Sequence, residues 1–271
     1  LYDTYGFPAQ LTREIAVSNG MTVDMAGFGG EMEKQRERGR SSKTFSGGMA
    51  IPAYERISNH VTKFVGYDHI IYETTIKGVL VGGVNNGHAV KGDKIDVVLG
   101  NTPFYAESGG QIGDSGRIVA PNGWVSVSDT QMPVEGLVIH TGIVEDGYIS
   151  IDDDVTAEVN FRSRADISLN HSGTHLLHAS LRTVLGNHVR QAGSLVSQSR
   201  LRFDFTHTQA LSEDDILCIQ AMVNDHILAN LPITTQQTNY PDALEQGALA
   251  FFGDQYAGEV RVVKMGNEHP V

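Results

Sequence analysis

Between residues 45 and 159, hydrophobic and polar residues alternate in short segments that are interrupted by glycine. Alternation with a period of two places one face of a strand toward a core and the other toward solvent. The predicted turns are Asn86-Gly87, Asn122-Gly123 and Asp146-Gly147, and the clearest predicted strands are 76–84, 94–99, 123–127 and 137–144. Evenly spaced short strands with turn signals predict a β-barrel, with a sandwich as the alternative.

Helical patterns flank this β-rich region. Residues 1–45 are predicted to be mainly helical, with Pro8 near a helix start and the mixed charges of 31–40 on a solvated face. After Arg164, apolar positions recur with helical spacing, and Asn170 is the predicted N-cap. The predicted core face of this helix holds Leu177, Leu181, Val184 and Leu185, and its polar side holds His171, His175, His178 and Arg182.

A second helix is predicted from a capping-box pattern, in which Ser212 precedes Asp215 by three residues. Its predicted core positions are Ile216, Ile219, Val223 and Ile227. Residues 201–205 and 260–263 alternate as strands do. Helices packed on an antiparallel sheet predict an α+β fold for this part of the chain.

Composition excludes two classes of protein. The 271-residue chain has no run of about 18 uncharged apolar residues, so we expect no membrane span. Its formal charge is −12, so we expect no DNA partner. The single cysteine suits a reducing compartment, and cytoplasm is the expected location. Residues 155–205 nevertheless carry six basic and three acidic side chains, as a site for an anionic substrate would, although scattered surface arginines would look the same.

The segment NHSGTHLL at 170–177 carries the most specific chemistry. Its two histidines, His171 and His175, are four residues apart and therefore share one helix face, as paired metal ligands do. The glutamate of HExxH metalloproteases is missing, because Ser172 follows the first histidine. Two ligands do not complete a zinc site, and the alternative is a pair of polar histidines on an exposed face.

Cys218 and His178 are two further candidate metal ligands. Cys218 lies among apolar residues of the second predicted helix, where a lone cysteine is usually a small buried hydrophobe. His178 extends the histidine face by one turn, but it is equally compatible with a core histidine. A glycine-rich segment, FYAESGGQIGDSG at 104–116, allows close backbone approach to a substrate or, alternatively, a tight turn.

Several motifs, taken together, resemble alanyl-tRNA synthetases and follow one another in that family's order. They are LYDTYGFP (1–8), VDMAGF (23–28), MEKQRERGR (32–40), FYAESGGQIGD (104–114), NHSGTHLLHASL (170–181), VRQAGSLV (189–196), LRFDFTH (201–207) and GALAFFGDQYAGEVRVVKMG (247–266). The resemblance implies three parts: the end of a helical tRNA-recognition domain at 1–45, a β-barrel at 46–163, and an editing domain, an aminoacyl-tRNA deacylase, at 164–271.

The resemblance also implies site residues. His171 and His175 would be two zinc ligands, with the other two in a CGGTH motif expected beyond Val271. Thr174 and Gln191 would line the editing pocket as its catalytic residues. The remaining expected contacts to substrate or tRNA are Arg164, Arg190, Gly109 and Gly110. Without the resemblance, Thr174 would be a threonine bonded to its own helix backbone, and Gln191 a solvated glutamine.

The implied function is that of an enzyme that attaches alanine to tRNA(Ala). The full-length enzyme would use ATP and Mg²⁺ for that step, and this region would hydrolyse mischarged Ser-tRNA(Ala) and Gly-tRNA(Ala) with Zn²⁺. Three alternatives remain open at this point: a freestanding trans-editing deacylase, a noncatalytic tRNA-binding module, and a metallohydrolase unrelated to translation. The helical segment at 1–8 argues against the freestanding enzyme.

Overall fold

The fold was analysed in a computed structural model, which describes residues 9–18, 20–32, 61–245, 247–248 and 258–266. The chain divides into two compact units, Leu1–Ala50 and Ile51–Val271. In the first unit, helix α1 spans Ala9–Ser18, and residues 25–32 are also helical. The predicted helical character therefore holds for these residues. Pro8, the motif at 1–8, most of the charged run at 31–40 and the predicted boundary at residue 45 lie outside the described residues.

A barrel occupies the first part of the second unit. Its strands and their short neighbours are β1 (Lys63–Phe64), β2 (Ile71–Val81), β3 (Val84–Asn85), β4 (His88–Val90), β5 (Lys94–Leu99), β6 (Asn101–Thr102), β7 (Gly116–Ala120), β8 (Gly123–Val134), β9 (Leu137–Ser150) and β10 (Asp154–Val159). Six of them close in the order β2-β5-β9-β8-β7-β10, and β10 pairs back with β2. Every pairing around this ring is antiparallel. The predicted barrel is confirmed.

Alternation along the strands fills the barrel interior with apolar side chains. The largest of these fully buried side chains are Phe104, Ile76, Leu99, Ile118 and Ile149. The predicted turns at 86–87 and 122–123 do connect neighbouring strands. Asp146-Gly147 does not, because β9 runs through both residues. Gly147 has a φ of +65°, and an added Cβ would overlap the carbonyl of Asn122. This glycine therefore permits close pairing of β8 and β9 next to a register shift in their ladder, rather than a turn.

The helix that carries the histidine pair is longer than predicted. Helix α2 spans Phe161–Leu185 and starts directly after β10, with Asn160 as its N-cap. The side chain of Asn160 accepts a hydrogen bond from the backbone N–H of Ser163 at 3.2 Å. The prediction that Asn170 caps this helix was wrong. Asn170 lies inside it, and its amide donates to the carbonyl of Ser197 at 2.8 Å.

The rest of the unit consists of helices and two antiparallel β-hairpins, which confirms the predicted α+β class. Its elements are β11 (Gln191–Val196), β12 (Leu201–Phe205), α3 (Glu213–Leu228), β13 (Ile233–Asn239), α4 (Tyr240–Glu245) and β14 (Glu259–Met265). β11 pairs antiparallel with β12, and β13 pairs antiparallel with β14. The small core that joins the hairpin β11–β12 to α2 and α3 is built around Leu181, Val189 and Ile219.

The capping box at the start of α3 is confirmed, because the Ser212 hydroxyl accepts from the backbone of Asp215 and the Asp215 carboxylate accepts in return. The expected core face of α3 is only partly correct. Ile219 and Val223 pack against α2, whereas Ile216 and Ile227 are half exposed. Cys218 is also exposed, so its prediction as a buried hydrophobe was wrong. None of the helices in the described residues is long and apolar enough to cross a membrane.

A buried histidine lies in the barrel wall. His140 on β9 is fully buried, and its Nδ1 donates to the carbonyl of Val97 at 2.9 Å. Its Nε2 accepts the hydroxyl of Thr102 at 2.7 Å. Burial lowers the pKa of His140 to about 4, and the bond to Val97 opposes this shift only in part. The neutral ring is therefore the form that the folded barrel holds.

The depressed pKa of His140 predicts a loss of stability in acid. In unfolded chains a histidine binds its proton near pH 6.5, so stability is fully present above that pH and falls until about pH 4. The contribution of His140 to this fall is roughly 3 kcal/mol. In urea unfolding at pH 7 and pH 4, His140→Gln should therefore lose less stability on acidification than the wild type. Equal losses in the two proteins would contradict the prediction.

Candidate metal centre

The two predicted ligands lie side by side on α2. The rings of His171 and His175 are stacked with centroids 5.1 Å apart and an interplanar angle of 27°. Burial lowers the pKa of His171, and burial together with the neighbouring histidines lowers the pKa of His175 to about 4. Both imidazoles are therefore neutral at pH 7, which is the form that binds a metal ion.

The glycine-rich segment at 104–116, called the glycine loop below, touches this pair directly. The side-chain oxygen of Gln111 accepts a hydrogen bond from Nδ1 of His171 at 2.5 Å. Gln111 is only 8% exposed. From the sequence the two motifs were predicted separately, and the contact of Gln111 with His171 was not predicted. The available signal was a polar residue placed directly after two glycines.

Backbone hydrogen bonds hold the glycine loop against the edge of β11. The N–H of Val196 donates to the carbonyl of Gly110 at 2.7 Å, and the N–H of Ile112 donates to the carbonyl of Val196 at 3.1 Å. Gln111 and Val196 thus form an isolated parallel bridge. The loop therefore extends the hairpin β11–β12 by one short strand-like segment.

Three of the predicted site residues meet at this edge. The Gln191 amide donates to the Ser194 hydroxyl at 3.0 Å, and that hydroxyl donates to the carbonyl of Gly109 at 3.2 Å. Gly110 has a φ of +85°, and an added Cβ would overlap the hydroxyl and the carbonyl of Ser194. Only glycine allows this close approach. The structure therefore brings Gln191, Gly109 and Gly110 together at the edge of β11. The next residue of the loop, Gln111, makes the contact with His171.

Thr174 lies one position before His175 and is buried. Its hydroxyl donates to the carbonyl of Asn170 at 2.8 Å, which is the helix-backbone bond considered from the sequence. The hydroxyl oxygen retains its capacity to accept a hydrogen bond. A role for Thr174 toward a substrate stays a prediction.

The two predicted arginines have different surroundings. Arg190 is exposed at the start of the hairpin, and its backbone N–H donates to the hydroxyl of Thr206 at 3.1 Å. Arg164 is largely buried: its guanidinium pairs with Asp114 of the glycine loop and donates to the carbonyls of Gly66 and Pro103 at 2.9 Å and 2.7 Å. The guanidinium of Arg164 therefore holds the barrel side to α2, and its expected contact with tRNA stays a prediction.

The predicted polar side of α2 does not continue past His175. His178 is buried, and its ring packs on Phe203 with centroids 5.0 Å apart. Arg182 donates to the carbonyls of Asn187 and Val189, which closes the loop after the helix. The prediction of one continuous polar face was wrong, because the hairpin covers the last turns of α2.

The donor set suits a zinc ion in part. Among the residues that the structure describes, no group of three or more His, Cys, Asp or Glu side chains is placed to hold a metal. His171 and His175 would supply two ligands. Because Nδ1 of His171 donates to Gln111, its lone pair lies on Nε2, and metal-binding histidines commonly have such a second hydrogen bond. The two histidines therefore fit zinc chemistry as part of a site.

Comparison with known proteins identifies the family. A sequence model described as tRNA synthetases class II (A) matches residues 1–163, which is more than half of the chain. The chain belongs to the class II (A) tRNA synthetases. The match covers the first unit and the barrel, and the histidine pair follows it in sequence.

Individual class II (A) relatives match nearly the whole chain. The alanine–tRNA ligase of Roseiflexus sp. (strain RS-1) is 44% identical over 266 residues, which is 98% of this chain and 29% of that protein. That of Dehalococcoides mccartyi (strain CBDB1) is 44% identical over 98% of this chain and 31% of its own length. That of Nitrosomonas europaea is 45% identical over 98% and 30%. The chain thus spans about three tenths of the length of these relatives.

The close approach of Gly110 predicts a difference between two neighbouring substitutions. No described atom lies within 4 Å of a Cβ added at Gly109, so Gly109→Ala should cost only the left-handed backbone penalty, about 1–2 kcal/mol. Gly110→Ala has the same penalty and also overlaps Ser194, so it should cost ~1–3 kcal/mol more. Urea unfolding of both variants measures the difference. Equal costs would show that the loop does not press on β11.

The Arg164–Asp114 ion pair predicts a second contrast. Its side chains are 15% and 1% exposed, and removal of one partner leaves a buried charge, so Arg164→Met should cost about 3–5 kcal/mol. The matched control is Arg117→Met, which breaks a more exposed pair with Glu158, whose side chains are 59% and 24% exposed, and should cost about 1 kcal/mol. The free energies of unfolding of both variants and of the wild type, measured in urea, give the two losses. Similar losses for both variants would contradict this account of Arg164.

Proposed function

We propose that the chain is part of an alanine–tRNA ligase and that the region from α2 onward edits that enzyme's errors. It would hydrolyse the ester of mischarged Ser-tRNA(Ala) and Gly-tRNA(Ala). The observation that carries the proposal is the neutral, stacked pair His171 and His175, of which His171 is hydrogen-bonded to Gln111 of the glycine loop. Its second support is the 44–45% identity to alanine–tRNA ligases over 98% of the chain.

Editing meets a chemical need that binding alone cannot. A pocket for alanine cannot strongly reject serine, because an added hydroxyl in a nearly isosteric ligand changes discrimination only about a hundredfold. Glycine lacks one methyl group, which is worth on the order of 1–3 kcal/mol. A second site that hydrolyses the wrong ester supplies the missing accuracy.

Each residue of the site has a proposed role. His171 and His175 hold zinc, with further ligands from outside the described residues. A zinc ion with an open position orients a carbonyl or acts as a Lewis acid. Thr174 and Gln191 contact the aminoacyl side chain and place it. Thr174 directly precedes His175 on α2. Gln191 is linked through Ser194 to the glycine loop, which in turn touches His171.

The neighbouring backbone and charges complete the proposed substrate site. The backbone at Gly109 is open to close approach, because no described atom lies within 4 Å of a Cβ added there. Gly110 packs against Ser194, so its proposed contact with the substrate uses the part of its backbone that Ser194 does not cover. Arg190 is exposed on the same hairpin and suits the phosphates of the tRNA end. In the longer protein that we propose, ATP and Mg²⁺ serve the alanylation of tRNA(Ala), and this region acts after that step.

The proposal is tested by removing both histidines from the longer protein. The variant with His171→Ala and His175→Ala should lose hydrolysis of Ser-tRNA(Ala) and keep alanylation within about twofold, because only the editing step needs the pair. A matched control replaces His188 and His207 with alanine. Their rings are also stacked, and Nε2 of His188 lies 3.0 Å from Nδ1 of His207.

The outcomes separate the candidate functions. Loss of deacylation in the first variant and retention in the control support editing at this site. Retained deacylation in the first variant rejects it. A wild-type protein that binds tRNA(Ala) yet never hydrolyses Ser-tRNA(Ala) would instead indicate a noncatalytic tRNA-binding module. Circular dichroism of each variant checks that the fold is intact.

A further inference from the structure

The contact between the glycine loop and α2 points to a residue that neither the motif nor the family comparison assigns. We infer that Gln111 is a positioning residue for the metal centre, because its amide oxygen holds His171 in the tautomer whose Nε2 lone pair would be available to a metal ion. The inference rests on the proposed function only in taking His171 as a zinc ligand. The hydrogen bond itself is a property of the chain without metal.

The chemistry of the bond sets the tautomer. A neutral imidazole carries its proton on one ring nitrogen and a lone pair on the other. A carboxamide oxygen can only accept, so its 2.5 Å contact with Nδ1 requires the proton to be on Nδ1. Nε2 of His171 then carries the lone pair that a zinc ion needs. Gln111 is buried and His171 is half-buried, so little water is available to compete for Nδ1 and the preference is strengthened.

The glycine loop fixes Gln111 from both sides. Its own N–H donates to the carbonyl of Ser108 at 3.0 Å, and its carbonyl accepts from the N–H of Ser108 at 3.1 Å. On the next residue, the N–H of Ile112 is bound by Val196 of β11. With its backbone held in this way and its side chain 8% exposed, Gln111 has little freedom to turn away.

A second contact sets the distance between the loop and the helix. Asp114, three residues after Gln111, pairs with Arg164, which lies seven residues before His171 on α2. Seven residues are about two helical turns, so Arg164 and His171 present the same face of α2. The glycine loop therefore contacts one face of α2 twice, through Gln111 and through Asp114. The glycine loop, which precedes β7 of the barrel, becomes part of the centre that the histidines form.

The first test measures the tautomer in the 271-residue chain without metal. Imidazole ¹⁵N shifts at pH 7.5 should show His171 protonated on Nδ1 in the wild type. Gln111→Met keeps the length of the side chain and removes the acceptor, so the Nδ1–H preference should be lost. Gln111→Glu keeps an acceptor oxygen and should retain it. An Nδ1–H preference that persists in Gln111→Met overturns the inference.

The second test measures zinc affinity in the longer protein by competition with a chelator. Loss of a hydrogen bond that orients a ligand typically weakens metal binding 10–100-fold, so Gln111→Met should bind zinc about 10–100-fold more weakly. Gln111→Glu should restore binding to near the wild-type level. The matched control is Gln198→Met, whose amide also contacts α2, through Asp166 at 3.3 Å, and which should leave the affinity unchanged.

The results distinguish this inference from the proposed function. If His171→Ala with His175→Ala abolishes zinc binding but Gln111→Met leaves both the tautomer and the affinity unchanged, the role of Gln111 is wrong and the metal site stands. If the histidine variant binds zinc as tightly as the wild type, the metal site is wrong. In that case the ¹⁵N shifts still decide whether Gln111 sets the tautomer. Thermal unfolding confirms that each variant is folded.

Discussion

The ion pair between Arg164 and Asp114 is the constraint on which the site geometry depends. The guanidinium belongs to the fourth residue of α2, the carboxylate is in the glycine loop, and two backbone carbonyls accept further hydrogen bonds from the guanidinium. Desolvation of two charges offsets much of their attraction, so such a pair adds little net stability compared with an apolar contact. What it enforces is position, because any other register of loop and helix would leave a charge buried without a partner.

With the glycine loop held against α2 by this ion pair, its other residues contact both the histidine pair and the hairpin β11–β12. Gln111 reaches His171, and Gly110 meets β11 at a distance that excludes a side chain. On the hairpin, Gln191 donates to the Ser194 hydroxyl, which donates to the carbonyl of Gly109. Segments separated by some 60 to 85 residues in sequence thus build one polar edge beside two neutral histidines. A loop that sequence alone could assign to a tight turn is a wall of the candidate metal centre.

Several local features could be predicted because they depend on near neighbours in the chain. The spacing of His171 and His175 on one helix face and the capping box at Ser212 were correct for that reason. Asn170 was misassigned because asparagine caps helices and also bonds across tertiary contacts, here to Ser197. Asp146-Gly147 was misassigned because a glycine with positive φ serves a strand irregularity as well as a turn.

Burial was the hardest property to predict. The sequence predicted a buried Cys218, but this residue is exposed because only one side of α3 packs against α2 and the hairpin. The sequence left the burial of His178 open, and this residue is buried because the hairpin covers the last turns of α2. The sequence by itself determined the strand alternation of the barrel, the helical spacing of the histidines and the family. Only the tertiary structure decided which loop meets which helix, because those contacts depend on desolvated partners far apart along the chain.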